Sequence, residues 1–219
     1  MPFDFHQLLF SLESLIFATV VFIQLSKKNS SVVVFYMLQS LVITLFLFWS
    51  FLEERSVMLL FVVVVVFAVK VCVAPYFFFR LIREHQLKFS VSTYLHNPMA
   101  LIIVALLTAF TYSHLFTPLA LLSPENANAI LLAIAMMLAS LFIIINRKGA
   151  LSQMIGILSF ENAIVSFAFL SGLEQAPWLQ LGILFDIAVW IVIATVFASI
   201  VYQQFGSLDV TTMRHLKEQ

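Results

Sequence analysis

Long apolar runs alternate with short polar breaks along the whole chain. Seven runs can be marked, at about 7–25, 32–52, 57–80, 98–119, 127–146, 150–172 and 178–202. A bilayer takes about 20 helical residues at a rise of about 1.5 Å per residue, so each run is long enough to cross one. None shows the period-2 alternation of a barrel strand, and all are about twice a barrel strand's length. The pattern predicts an all-α membrane protein, a bundle of seven transmembrane helices. The longest break, from about Leu81 to Asn97, is polar and basic, so no loop is expected to hold a folded extramembrane domain.

Charge sets the expected orientation. Seven spans put the termini on opposite sides. Lys27, Lys28, Arg80, Arg83, Lys88, Arg147, Lys148, Arg214 and Lys217, nine of the eleven Lys and Arg, then share one side. The other side has Arg55 beside Glu53 and Glu54, and Lys70 is intramembrane. The positive-inside rule places the N-terminus outside and the C-terminus in the cytoplasm. The first run makes no convincing signal peptide: Asp4 makes its leader acidic, Glu13 interrupts its apolar core, and no small-x-small cleavage site follows.

Composition agrees with the pattern. The chain has 219 residues, 63% hydrophobic and 10% charged, at a mean hydropathy of +1.08. Soluble domains average about 45–50% apolar and about 25% charged. A formal net charge of zero gives no reason to expect a nucleic-acid partner. The only cysteine, Cys72, lies in an apolar run, which excludes a disulfide framework and a thiolate metal site.

The candidate chemistry is the charge left inside the runs. Glu161 lies about halfway along the sixth, and Asp186 somewhat to the outer side of centre in the seventh. A charged side chain at that depth costs roughly 2.5–3.5 kcal/mol even on the mild insertion scale, so two acids in consecutive helices need a reason. The runs share a short turn containing Pro177, so they are antiparallel neighbours whose acids could hold and hand on a proton. A permanently protonated, purely structural hydrogen bond is the plainer alternative. Lys70, at the centre of the third run, is too deep to snorkel easily. It is expected to carry protons or to act as a counter-ion, against the plainer reading of a static pair with Glu13, Glu161 or a partner subunit. Pro75 cannot donate to the Val71 carbonyl, so a kink is expected beside the lysine.

Weaker candidates are Glu13, Gln39 and His114. Phe77 to Phe79, Trp49 and Trp178 are expected to anchor the helices at the membrane interface. Nothing resembles a metal site, a catalytic triad, a phosphate loop or a haem ligand pair, so no catalytic residue, cofactor or metal is expected. An internal echo is also visible. Lys27 to Glu54 reads basic turn, apolar run with a central Gln39, acidic turn; Arg147 to Glu174 reads the same way, with Glu161 where Gln39 stands. Both copies run from the basic side outward, as in a parallel repeat. Three units are expected: residues 1–95, 96–146 and 147–219.

These residues carry a resemblance. Gly156 to Phe167 with Glu161, followed by a span bearing Asp186, resembles the second and third helices of the small K subunit of respiratory complex I. Nearly the whole chain is similar to a longer relative, component E of hydrogenase-4 in formate hydrogenlyase-type complexes. Gln39, Lys70 with Pro75, Arg147, Gln153, Gly156, Glu161-Asn162, Asp186 and the tail Gly206 to Val210 with Leu216-Lys217 carry that similarity. The resemblance implies a membrane-arm subunit of a complex in the bacterial cytoplasmic membrane. It would pack between an antiporter-like subunit and a quinone-channel-like subunit, with the metal chemistry in other chains. Glu161 and Asp186 would match the K subunit's paired acids, the second being an aspartate here, one methylene shorter. The rivals are a stand-alone secondary transporter, for which five glycines offer little room for broken helices, and an assembly scaffold whose charges only pair.

Overall fold

The computed structural model describes residues 5–84 and 92–173, and beyond them only six isolated helical positions between 182 and 199. Apart from those six, the expected seventh span with Asp186 and Trp178, and the tail after it, lie outside the described residues. The described residues form helices and no strands. Five helical stretches are long and apolar enough to cross a membrane: Phe5–Leu25, Asn29–Glu54, Val57–Arg83, Pro124–Asn146 and Ala150–Leu170.

Four of these stretches form two hairpins packed side by side: α1 (Phe5–Leu25), α2 (Asn29–Glu54), α7 (Ala127–Asn146) and α8 (Ala150–Leu170). Hairpin α1–α2 lies beside hairpin α7–α8, with α1 against α7 and α2 against α8. Like helices run in the same direction. His6 meets Asn126 at one end of the first pair, and Ile23 meets Arg147 at the other. In the second pair Asn29 meets Ser152 near the basic end, Ser40 meets Asn162, and the Phe46 and Phe169 rings stack with centroids 4.7 Å apart. The hydrogen-bonded partners stand 120 to 124 positions apart along the chain. Side-by-side hairpins in this register are the packing that a parallel repeat would produce.

Small residues let α7 and α8 approach closely, as helices in lipid prefer. Ala129, Ala133, Ala135 and Ala139 are buried along α7. On α8, a Cβ at Gly156 would stand 2.9 Å from Ile144 Cγ1 and 3.3 Å from the Ile144 backbone nitrogen.

The third stretch packs on α2 and is broken into α3 (Val57–Val66), a π turn (Phe67–Val73) and α4 (Ala74–Glu84). Pro75 explains the break. It has no N–H for the Val71 carbonyl, and the Ala74 N–H bonds the Val69 carbonyl five residues back. The inward positions Val62, Val66, Lys70, Ala74, Phe78 and Ile82 recur every four residues. Such steps overshoot an α-helical turn by about 40° each, and the wider π turn takes up the excess. The expected kink is therefore a π turn centred on Lys70. Phe78, expected at the interface, is instead core, edge-on to Tyr36 with centroids 6.4 Å apart.

The expected fourth span, about 98–119, is not one helix. Helix α5 (Asn97–Thr111) has 15 residues, and a turn then leads to the four-residue α6 (Thr117–Ala120). Pro118 accounts for this, since its ring would clash with the His114 carbonyl in a continued helix. At about 22 Å, α5 falls short of a hydrocarbon core of about 30 Å.

Arg147, counted above as a loop charge, is fully buried. Its guanidinium donates to the carbonyls of Ser26, at 2.9 Å, and Ile23, where α1 ends. A helix C-terminus leaves carbonyls unpaired and partly negative, so among the described residues this buried cation is met by backbone carbonyls. Burial lowers the guanidinium to about 10, so it stays charged at neutral pH. Gln153 Nε2 holds the Arg147 carbonyl at 2.7 Å, and Thr93 pairs with Arg147 in an isolated bridge.

Two outcomes are expected in thermal or chemical denaturation of the detergent-solubilised protein. Gly156→Ala overpacks the α7–α8 contact and lowers stability by about 1–3 kcal/mol. Arg147→Met removes two charge-assisted hydrogen bonds, each contributing about 1.5–3 kcal/mol, and lowers stability by an amount in that range or above it.

Candidate functional site: a buried lysine at a π turn

Lys70 points from the π turn into the seam between α2 and α8. Its Nζ donates to Asn162 Oδ1 at 2.8 Å and lies 3.7 Å from Glu161 Oε1. The first is a tight hydrogen bond; the second is a charge contact just beyond hydrogen-bond range. The lysine side chain is 2% exposed and the glutamate side chain 13%. Asn162 Nδ2 in turn donates to Ser40 Oγ on α2 at 3.3 Å. One buried polar chain therefore crosses three helical elements: Lys70, Glu161 with Asn162, and Ser40.

The sequence places these groups together by helical spacing. Ser159, Asn162 and Ser166 stand at i, i+3 and i+7, one face of α8, and all three are fully buried. Tyr36 and Ser40 are one turn apart on α2, also fully buried. Among the described residues no side-chain partner is found for Ser159 Oγ or for the amide of Gln39. Of the alternatives for Lys70, the geometry pairs it with Glu161, and Glu13 bonds elsewhere: its Oε2 accepts from the Ser166 hydroxyl.

The remaining candidates separate. Gln39 is fully buried at the depth of Ser40. His114 sits exposed on the turn after α5, away from the polar seam, because the helix ends before it. Asp186 lies outside the described residues. Ser40 and Ser166 were not among the sequence candidates, and Asn162 entered only through the resemblance, although the i, i+3, i+7 stripe on α8 marks both Asn162 and Ser166. His6, at the acidic end, was not a candidate either. Its Nδ1 is 2.9 Å from Asn126 Oδ1 and its Nε2 is 3.1 Å from Glu125 Oε2, beside an open cavity of about 380 Å³ lined also by Gln7 and Asn128. Trp49, an expected interface anchor, donates to Glu53 at 2.8 Å near that end. Among the described residues no cluster of three or more His, Cys, Asp or Glu could hold a metal ion.

The fold and site thus define a class, a helical bundle with membrane-length helices and a lysine buried in its interior beside a carboxylate. The chain is 25% identical over 156 residues, 71% of each chain, to the uncharacterized protein Rv0085 of Mycobacterium tuberculosis (strain ATCC 25618 / H37Rv). No family profile and no solved structure matches it.

The pair makes a stability prediction. Lys70→Met leaves the Glu161 carboxylate buried without its counter-charge and Asn162 Oδ1 without its donor. The expected loss is about 3–5 kcal/mol, read as a lower unfolding midpoint in mild detergent.

Proposed function

We propose that this chain is a membrane-arm subunit of a complex I-like or group 4 [NiFe]-hydrogenase-like assembly, contributing buried charges to a proton or Na⁺ translocation path. The observation that carries this reading is the Lys70–Glu161 pair, whose lysine is buried between helices on a π turn. Ionisable residues inside a bundle are costly, and π turns recur at functional sites. The resemblance of the Glu161-Asn162 segment to the K subunit of complex I supports the same reading.

In the mechanism, redox or conformational change in partner chains alters the hydration and charge balance around Lys70 and Glu161. At 3.7 Å the two groups are in direct charge contact, so a proton joining or leaving either one shifts the other. Asp186 in the seventh span is the second relay acid of this scheme. The partners are an antiporter-like and a quinone-channel-like membrane subunit, and the setting is the bacterial cytoplasmic membrane with the basic end inside. One observation favours the scaffold reading instead: the Lys70–Asn162–Ser40 chain already ties three helical elements together.

Glu161→Gln separates the two. In inverted membrane vesicles carrying the complete complex, the variant is expected to lose coupled proton movement per assembled complex, apart from any fall in abundance that breaking the pair causes. Reduced abundance with normal proton movement per turnover would establish a scaffold. Purification as a lone active transporter, with no antiporter-like chain accompanying it, would contradict both.

A further inference from the structure

Glu13 stands apart from the lysine pair. It is fully buried in α1, twelve residues from the end of that helix at Leu25, or about 18 Å. Helices α1 and α8 each pack on α2 and α7 and so face each other diagonally across the four-helix core. The Ser166–Glu13 hydrogen bond crosses that diagonal. Glu13 makes no ion pair among the described residues, and its Oε1 has no partner there. Gln39, on the helix between, is ten residues from Asn29, about 15 Å, hence at nearly the same depth, with both polar side-chain atoms unpartnered among the described residues.

A structural cross-link at this place needs only a donor and an acceptor, which serine or glutamine supplies without a titratable group. A carboxyl group differs from them in one useful respect: it binds and releases a proton. Ser166 lies one turn along α8 from Asn162, which holds Lys70, so the two polar centres share one helix face, about 6 Å apart. We propose that Glu13 is a second proton-holding site, joined to the Lys70–Glu161 pair along the Asn162–Ser166 face of α8, so that the path enters the four-helix core. The inference rests on the translocation reading above. The step balances simply. A protonated internal water on that face gives its proton to Ser166 Oγ, Ser166 releases its own hydroxyl proton to Glu13 Oε2, and the carboxylate becomes a carboxyl. Discharge reverses the sequence and leaves Ser166 unchanged.

The test uses the complete complex in inverted vesicles, with Glu13→Gln, Glu13→Asp and Ser166→Ala compared with Glu161→Gln. The readouts are protons moved per redox turnover, subunit abundance, and the protonated-carboxyl band in infrared difference spectra. Glu13→Gln is expected to assemble, to move protons about a hundredfold more slowly, as for a lost acid–base group, and to lose one carboxyl band. Glu13→Asp retains the band and part of the rate, and Ser166→Ala slows transfer. Normal proton movement in Glu13→Gln, with Glu161→Gln inactive, overturns this inference alone. Normal movement in both variants overturns the translocation reading as well. Should Glu13→Gln fail to accumulate, an unchanged rate in Ser166→Ala overturns the inference.

Discussion

An ammonium group in hydrocarbon persists only when its charge and its donors are met by protein, and Lys70 imposes that requirement on everything around it. The protein meets it from α8, with a side-chain carbonyl at 2.8 Å and a carboxylate at 3.7 Å. For the lysine to arrive there, the third stretch must turn its four-residue stripe onto α2, which the π turn before Pro75 accomplishes. For Asn162 to receive it, α8 must lie against α2 in the register that the Ser40–Asn162 contact records. Breaking such a pair by removing one partner costs far more than its net contribution, so the arrangement is self-enforcing.

The rest of the core follows the logic of helices in lipid, where packing and backbone satisfaction count more than apolar burial. Alanines and Gly156 bring α7 and α8 together. Arg147 closes the C-terminal carbonyls of α1, a task water performs for soluble helices. Thr44 and Thr19 bond carbonyls of their own helices, so much of the polar content along the spans carries no contact between helices.

That last point explains what could be read from the chain alone. The first three, the fifth and the sixth apolar runs correspond to helices within a few residues, because a long apolar run has few other solutions. Lys70 and Glu161 were legible as charges where charge is expensive, and their pairing was among the stated alternatives. Asn162, Ser40 and Ser166 were not, since small polar residues in such helices usually bond their own backbone. The fourth run misled because residues Tyr112 to Leu119 are apolar enough to suggest a helix, while Pro118 forbids one through His114. Arg147 misled for the opposite reason: a cation beside Lys148 and Gly149 looks like a solvated turn, and its carbonyl partners lie more than 120 positions away.

In the proposed scheme the Lys70–Glu161 pair moves charge as well as holding helices together. The most direct measurement neutralises both members at once, Lys70→Met with Glu161→Leu, and follows assembly and proton movement in the same vesicles. Replacing a buried pair by apolar residues of similar volume commonly leaves stability intact. An assembled complex with redox turnover and no coupled proton movement is expected; full proton movement in that double variant would show that the pair only holds helices together.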